Sequence, residues 1–162
     1  MRLPQLVVVI LAACGLSAQA GPGPTDVPPA GSDVEHGKHL VLIGHCNNCH
    51  TAGYAANAGN VPEDRWLAGN PVGWRGRCGT VYASNLRLFM QDLSEDGWLQ
   101  IARAGQWRAP MPWWSLRDYS DGELRSIYRY VHSLKPLGAP APASLPAGQA
   151  PPRPYNQLPD AD

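Results

Sequence analysis

The segment His45–His50, HCNNCH, constrains this chain more than any other feature. Two cysteines stand three positions apart, and a histidine follows the second cysteine directly. Thiols at this spacing can form a redox couple, supply half of a zinc site, or anchor a covalent prosthetic group. Each of these alternatives requires different residues elsewhere in the chain, so the remaining sequence must decide among them.

The N-terminus is typical of an export leader. Arg2 precedes the apolar run Leu6–Ala13, which is too short to span a bilayer. The small-residue site Ala18–Ala20 favours a signal peptide over residues 1–20. The alternative is a lipoprotein signal that ends before Cys14, whose lipid would then tether the protein to a membrane. Both alternatives predict a periplasmic protein.

The charged residues balance, with 13 basic and 13 acidic side chains. Nucleic-acid binding requires a basic excess, so the composition argues against nucleic acid as a partner. The segment between Asp64 and Asp92 contains no acid but carries four arginines, namely Arg65, Arg75, Arg77 and Arg87. They form either a solvated loop face, or a positive group that steers an acidic partner or pairs with buried carboxylates.

Capping signals and apolar periodicity predict three helices. The first opens at the capping box Ser32–Glu35 and runs to about Gly44, which delivers the chain into the cysteine motif. The second starts at Ser94 and ends at Gly105. The third opens at the capping box Ser120–Glu123 and runs to about Leu134. We therefore expect an all-α fold, small, with three to five helices and long loops.

The remaining segments carry no regular pattern. Residues 21–31 are a Pro/Gly linker, and residues 51–82 predict a long loop region without a strand pair. Loops of that length within a domain are usually functional. Residues 136–162 contain eight prolines and form either a disordered tail or an extended strap across the surface. The predicted domain covers residues 32–135.

Covalent haem attachment explains every residue of the cysteine motif. A zinc site needs three or four ligands, and Cys78 forms no second half-site with the remaining histidines. A thiol redox pair would lie near a βαβ pattern, whereas this motif follows a helix. Thioether bonds from Cys46 and Cys49 to the two vinyl groups of a porphyrin would place His50 beneath the ring, facing the iron. One covalent haem c is the predicted cofactor.

The third cysteine that follows the signal peptide has no evident partner. Cleavage after Ala20 leaves Cys46, Cys49 and Cys78, an odd number that excludes a simple disulfide framework. Burial of Cys78 as a small apolar side chain is favoured. An intermolecular disulfide and a reactive thiol are the alternatives.

Met111 is the favoured ligand for the opposite face of the iron. Its neighbours Pro110 and Pro112 stiffen the backbone and lack N–H groups that would need partners. It lies 61 residues beyond His50, which is enough chain to wrap the ring. Met90 stands among apolar neighbours and is expected in the core. The other candidate ligands are expected to be surface or core histidines, namely His36, His39, His45 and His132.

With these residues in place, the sequence resembles class I cytochromes c over about residues 33–135. The resemblance implies that the first and last helices cross near Gly37 and Tyr130. A closer resemblance is to the cytochrome domains of bacterial membrane-bound alcohol and sugar dehydrogenases, through GTVYASNL at 79–86 and APMPWW at 109–114. It implies a haem c, His50 and Met111 as axial ligands, and electron transfer. Those subunits usually carry three such domains, whereas this chain has one.

The expected function is that of a one-electron carrier, not an enzyme. The iron would cycle between Fe(II) and Fe(III), taking electrons from a periplasmic or membrane dehydrogenase and passing them to a terminal oxidase or carrier of the respiratory chain. Trp74, Tyr82 and Asn85 are candidate contacts to the haem propionates. One alternative is a subunit docked in a dehydrogenase or oxidase complex by its Pro-rich tail. Another is an enzyme or gas sensor with an open distal site.

Overall fold

Residues 33–159 are described in this computed structural model, and helices are its main regular structure. The α-helices are α1 Asp33–Ile43, α2 Cys46–His50, α3 Leu86–Phe89, α4 Glu95–Ala104 and α5 Asp121–Ser133. Short 3₁₀ helices cover Ala55–Asn57, Glu63–Arg65 and Trp113–Asp118. The predicted leader with Cys14, the linker 21–31 and the cap residue Ser32 lie outside the described residues.

The crossing of α1 and α5 organises the core, as the resemblance predicted. A Cβ atom at Gly37 would lie 1.9 Å from the carbonyl oxygen of Ser126 and 2.8 Å from the Cβ of Tyr130. Only glycine allows the two backbones to approach so closely. The fully buried side chains of Val41 and Val131 pack in the same cluster. These apolar contacts fix α1, and therefore the start of α2, relative to α5.

The cap positions predicted for α4 and α5 are confirmed. The Ser94 hydroxyl accepts from the Gly97 N–H, and α4 ends at its C-cap Gly105. Ser120 and Glu123 form a reciprocal capping box at the start of α5. The Trp98 indole N–H donates to the carbonyl of Leu124 at 2.8 Å and joins the two helices. Local signals therefore specified both helices correctly.

A small sheet corrects the all-α expectation. Strand β1 is Trp74–Gly76, β2 is Gly79–Val81 and β3 is Asn156–Gln157, in the order β2-β1-β3. The first two strands form an antiparallel hairpin inside the region predicted to lack strands, and β3 joins β1 in parallel. Each strand has only two or three residues, so none is long enough to show an alternating pattern.

The Pro-rich C-terminal segment is an ordered strap as far as residue 159, which confirms the second of the two alternatives. We call residues 136–158 the C-terminal strap. It reaches the hairpin twice, at a bridge between Leu145 and Thr80 and again through β3. Prolines favour such extended backbone and reduce the entropy lost on ordering it.

Arg87 has a structural role that neither interpretation of the four arginines included. Its side chain is buried, with 5% of its surface exposed. The guanidinium donates to five backbone carbonyls, those of Glu63, Asp64, Trp66, Leu134 and Lys135. It therefore joins the loop before β1 to the end of α5.

None of the helices between residues 33 and 159 combines the length and apolar character needed to cross a membrane.

Candidate functional site

The cysteine motif folds as a separate short helix, α2, which the sequence did not predict. His45 precedes it with a φ of 56°, a left-handed conformation that turns the chain between α1 and α2. Thr51 fixes the other end, because its buried hydroxyl donates to the Asn47 amide oxygen at 2.7 Å and accepts from the Leu67 N–H. One helical turn separates Cys46 from Cys49, so both thiols lie on the same side of α2.

The two thiols of α2 differ in their surroundings. Cys46 packs against the hydrophobic core, and burial raises the pKa of its thiol to about 11. Cys49 is partly buried at the opposite end of the turn, and burial raises its thiol pKa as well. Burial therefore favours the thiol over the thiolate at both positions, and the two sulfurs form no disulfide with each other. The structure therefore contains two free sulfurs on one helix face rather than a disulfide.

A hydrogen bond orients the imidazole of His50. Its Nδ1 atom lies 2.8 Å from the carbonyl oxygen of Ser84. A carbonyl can only accept, so Nδ1 carries the proton and Nε2 of the neutral ring keeps its lone pair. Burial lowers the pKa of His50, and the bond to Ser84 opposes this only partly. The ring is thus a neutral base whose tautomer is suited to metal coordination through Nε2.

A cavity of about 360 Å³ lies against this imidazole. Its wall contains Cys49 and His50 on one part and Pro110 and Met111 on another, although 61 residues separate the histidine from the methionine. Trp74 and Tyr82, both predicted pocket residues, line the same cavity. The fold therefore brings together five of the predicted site residues, Cys49, His50, Met111, Trp74 and Tyr82, and places a thioether and an imidazole on one cavity. Cys46 is not among the described residues that line the cavity.

Several wall residues were missed from the sequence. They are Val81, Ala83, Ser84, Gln106, Trp107, Arg108 and Ser144. The Arg108 guanidinium donates to the carbonyl of Cys78, which ties the segment before Met111 to the hairpin turn. None of the residues that line the cavity in the described part of the chain is acidic. A cation and neutral donors on an otherwise apolar wall suit a ligand that is largely apolar and carries anionic groups.

Asn85 does not line the cavity, in contrast to its predicted role as a pocket contact. Its side-chain oxygen caps α3 by accepting from the Leu88 N–H. Its amide nitrogen donates to the carbonyls of Leu137 at 2.7 Å and Ala139 at 3.1 Å. This buried side chain therefore holds the C-terminal strap.

The other histidines and the third cysteine have separate locations. His132 Nε2 contacts the carbonyl of Met90 at 2.8 Å, and Met90 is fully buried in the core as predicted. His39 and His45 are exposed, and His36 is partly exposed on α1. Cys78 is exposed at the hairpin turn, so the expectation that it is buried was wrong. A turn in a short hairpin has no core beneath it that could enclose the thiol.

The described residues contain no group of three or more histidine, cysteine or acidic side chains placed to hold a metal ion. A polydentate metal cluster of the zinc type is therefore not formed between residues 33 and 159. The cavity instead offers single nitrogen and sulfur donors from His50 and Met111.

Comparisons with protein-family models, with curated proteins and with solved structures found no match to this chain.

Proposed function

We propose that this protein is a one-electron carrier that holds one covalent haem c in the cavity between α2 and the Met111 segment. Cys46 and Cys49 would supply the thioether bonds, and His50 and Met111 would be the ligands of the iron. The observation that carries the proposal is the placement of His50 and Met111 on one cavity, with Nε2 of the imidazole left unprotonated.

The residues present fit such a group chemically. The wall is mostly apolar, which suits a porphyrin, and Trp74 and Tyr82 add aromatic surface with one polar atom each. Arg108 supplies a positive charge for a carboxylate, with Ser144 as a further donor. Cys46 and Cys49 lie one helical turn apart on α2 and would supply the two sulfurs for covalent attachment. The described wall carries no acid, which also agrees with two propionates.

The chemistry supplied by the bound haem is a one-electron Fe(II)/Fe(III) couple. The residues of this chain set its position and potential. The bond from His50 to Ser84 holds the imidazole plane and its tautomer. A soft thioether from Met111 together with the neutral imidazole of His50 would favour the ferrous state and raise the potential. Apolar walls act in the same direction, because they disfavour the extra charge of ferric iron.

No acid–base pair or nucleophile is required for this role, so the protein would not be an enzyme. Its electron donor would be a periplasmic or membrane dehydrogenase and its acceptor a terminal oxidase or another carrier. Contacts with such partners should be weak and small in area, because a carrier must dissociate after each electron. Stable docking in a dehydrogenase or oxidase complex is a second form of the same chemistry.

Absorption spectra of the mature ferric and ferrous protein, with and without carbon monoxide, test the ligand set. We expect covalently bound haem, a weak far-red band from sulfur ligation in the ferric form, and no response of the ferrous form to carbon monoxide. Met111→Leu keeps the side-chain volume but removes the sulfur, so it should abolish the band and admit carbon monoxide. The matched control is Met90→Leu, which removes a sulfur from the core and should leave the band intact.

Two results would count against the proposal. Extraction of the haem into acidified organic solvent from wild-type protein would show that no thioether bonds form. Ready binding of carbon monoxide by the wild type would show an open or labile sixth position and would favour an enzyme or gas sensor. His50→Gly should abolish the holoprotein, whereas His45→Asn should not, since asparagine tolerates the left-handed conformation of His45.

A further inference from the structure

The C-terminal strap is held at several places along its length. At its start, Asn85 binds the carbonyls of Leu137 and Ala139. In its middle, Leu145 and Thr80 exchange two backbone hydrogen bonds, of 3.0 and 2.9 Å. At its end, the Leu158 N–H donates to the carbonyl of Arg75 at 2.8 Å. Such a distribution of anchors indicates a fixed structural element rather than a free tail.

The strap passes from one edge of the β1–β2 hairpin to the other. Thr80 directs its N–H and carbonyl away from β1 and pairs them with Leu145, on the free edge of β2. Further along, β3 pairs with the free edge of β1. The strap therefore occupies both edges of the hairpin, which would otherwise present unpaired backbone groups.

Gly79 shows how closely the strap crosses the hairpin. A Cβ atom there would lie 2.1 Å from the carbonyl oxygen of Leu145 and 2.8 Å from the carbonyl carbon of Pro146. Its φ of 105° also disfavours any other residue. The glycine at position 79 therefore leaves room for the strap backbone to pass against the hairpin. The residue just before this crossing, Ser144, lines the cavity together with Trp74 and Tyr82.

We propose that the strap is a wall of the ligand-binding cavity, and that it limits the access of water and small molecules to the group bound there. This inference rests on the proposed haem function for the identity of that group. Ser144 is the strap residue in the described lining of the cavity, and it shares that lining with Trp74 and Tyr82 of the hairpin side. Its backbone is committed to the hairpin at residues 145 and 156–158, so it acts within the molecule and not as a docking arm for a partner.

One substitution and one truncation test this role. Gly79→Ala places a methyl group against the Leu145 carbonyl and should displace the strap. Gly148→Ala is the matched control, because Gly148 also has a positive φ, of 84°, but a methyl group there would meet no described atom within 4 Å. A chain ending at Ala143 removes Ser144 and both hairpin contacts. It provides the second test if Gly79→Ala does not fold.

The first readout is hydrogen exchange at Thr80, whose amide is protected by the strap through Leu145. We expect exchange to be on the order of tenfold faster in Gly79→Ala and in the shortened chain than in Gly148→Ala. The second readout is the reduction potential, which should fall when water enters, because water stabilises the ferric state. The far-red band should persist in both variants, since neither change touches His50 or Met111.

The outcomes separate the two proposals. Faster exchange at Thr80 with an unchanged potential would mean that the strap is a clasp and not a wall, and would overturn the inference. Unchanged exchange would show that the strap does not hold the hairpin at all. If the mature protein carries no haem, the proposed function fails. Acrylamide quenching of tryptophan fluorescence then tests the wall, because removal of the strap should expose Trp74.

Discussion

The close approach of α1 and α5 predicts a large effect for the substitution Gly37→Ala. The added methyl group would stand 1.9 Å from the Ser126 carbonyl oxygen, whereas ordinary contact begins at 3.4 Å. The obstacle is backbone and not the end of a flexible side chain, so the two helices must move apart to relieve the clash. That separation loosens the buried packing around Val41 and Tyr130.

The magnitude follows from two opposing contributions. Overpacking of a core costs about 1–3 kcal/mol, and a clash with backbone places Gly37→Ala near the upper limit. Alanine is the better helix former and returns about 1 kcal/mol. We therefore expect the free energy of unfolding to fall by about 2 kcal/mol, which lowers the melting temperature by about 8 °C in a domain of this size.

Urea unfolding and thermal melts followed by far-ultraviolet circular dichroism measure both quantities. Gly97→Ala provides the matched control, because Gly97 also lies inside a helix but its Cβ would meet only side-chain atoms, the nearest being the Ser94 hydroxyl at 3.3 Å. This control should be neutral or stabilising by up to about 1 kcal/mol. Equal stability of the two variants would refute the close crossing of α1 and α5.

Two substitutions and one labelling experiment test other parts of the structure. Arg87→Met leaves five carbonyls without their charged donor and should cost more than about 3 kcal/mol in urea unfolding, whereas the exposed Arg65 should tolerate the same change with little loss. The hydrogen bond from Arg129 lowers the pKa of Glu95 below 4.5, and this stabilisation is complete above pH 4.5 and lost as the pH falls through the lowered pKa. Urea unfolding at a series of pH values should therefore find Glu95→Gln less stable than the wild type at neutral pH, with the two converging in acid. Iodoacetamide labelling of the mature protein, mapped by mass spectrometry, should modify the exposed Cys78 and leave Cys46 and Cys49 unmodified, because the proposed thioether bonds leave no thiol there, and labelling of the α2 cysteines in the haem-loaded protein would contradict those bonds.

The sequence predicted those elements whose start, end and buried face are determined by residues within the element itself. Helices α4 and α5 begin at Ser94 and Ser120 because a hydroxyl there accepts an N–H of the first turn. In α5 the buried residues Leu124 and Val131 stand seven positions apart, which is the apolar spacing expected for one face of a helix. The spacing of cysteines and histidine at residues 45–50 likewise predicts covalent haem attachment from local sequence, and haem attachment stays a prediction.

Tertiary structure alone decided the features that join distant segments. Each of the three strands has only two or three residues. Strand β1 pairs with β3, so Trp74 lies opposite Asn156, which is far away in the sequence. Such a pairing leaves no pattern in a local stretch of sequence. Arg108 and Ser144 also come from distant parts of the chain, so the sequence does not indicate that they line one cavity. Arg87 and Asn85 looked like surface or ligand contacts, yet their donors bind carbonyls that only the folded chain brings within reach. Side-chain type specified which chemistry was available, and long-range packing determined what each group contacts.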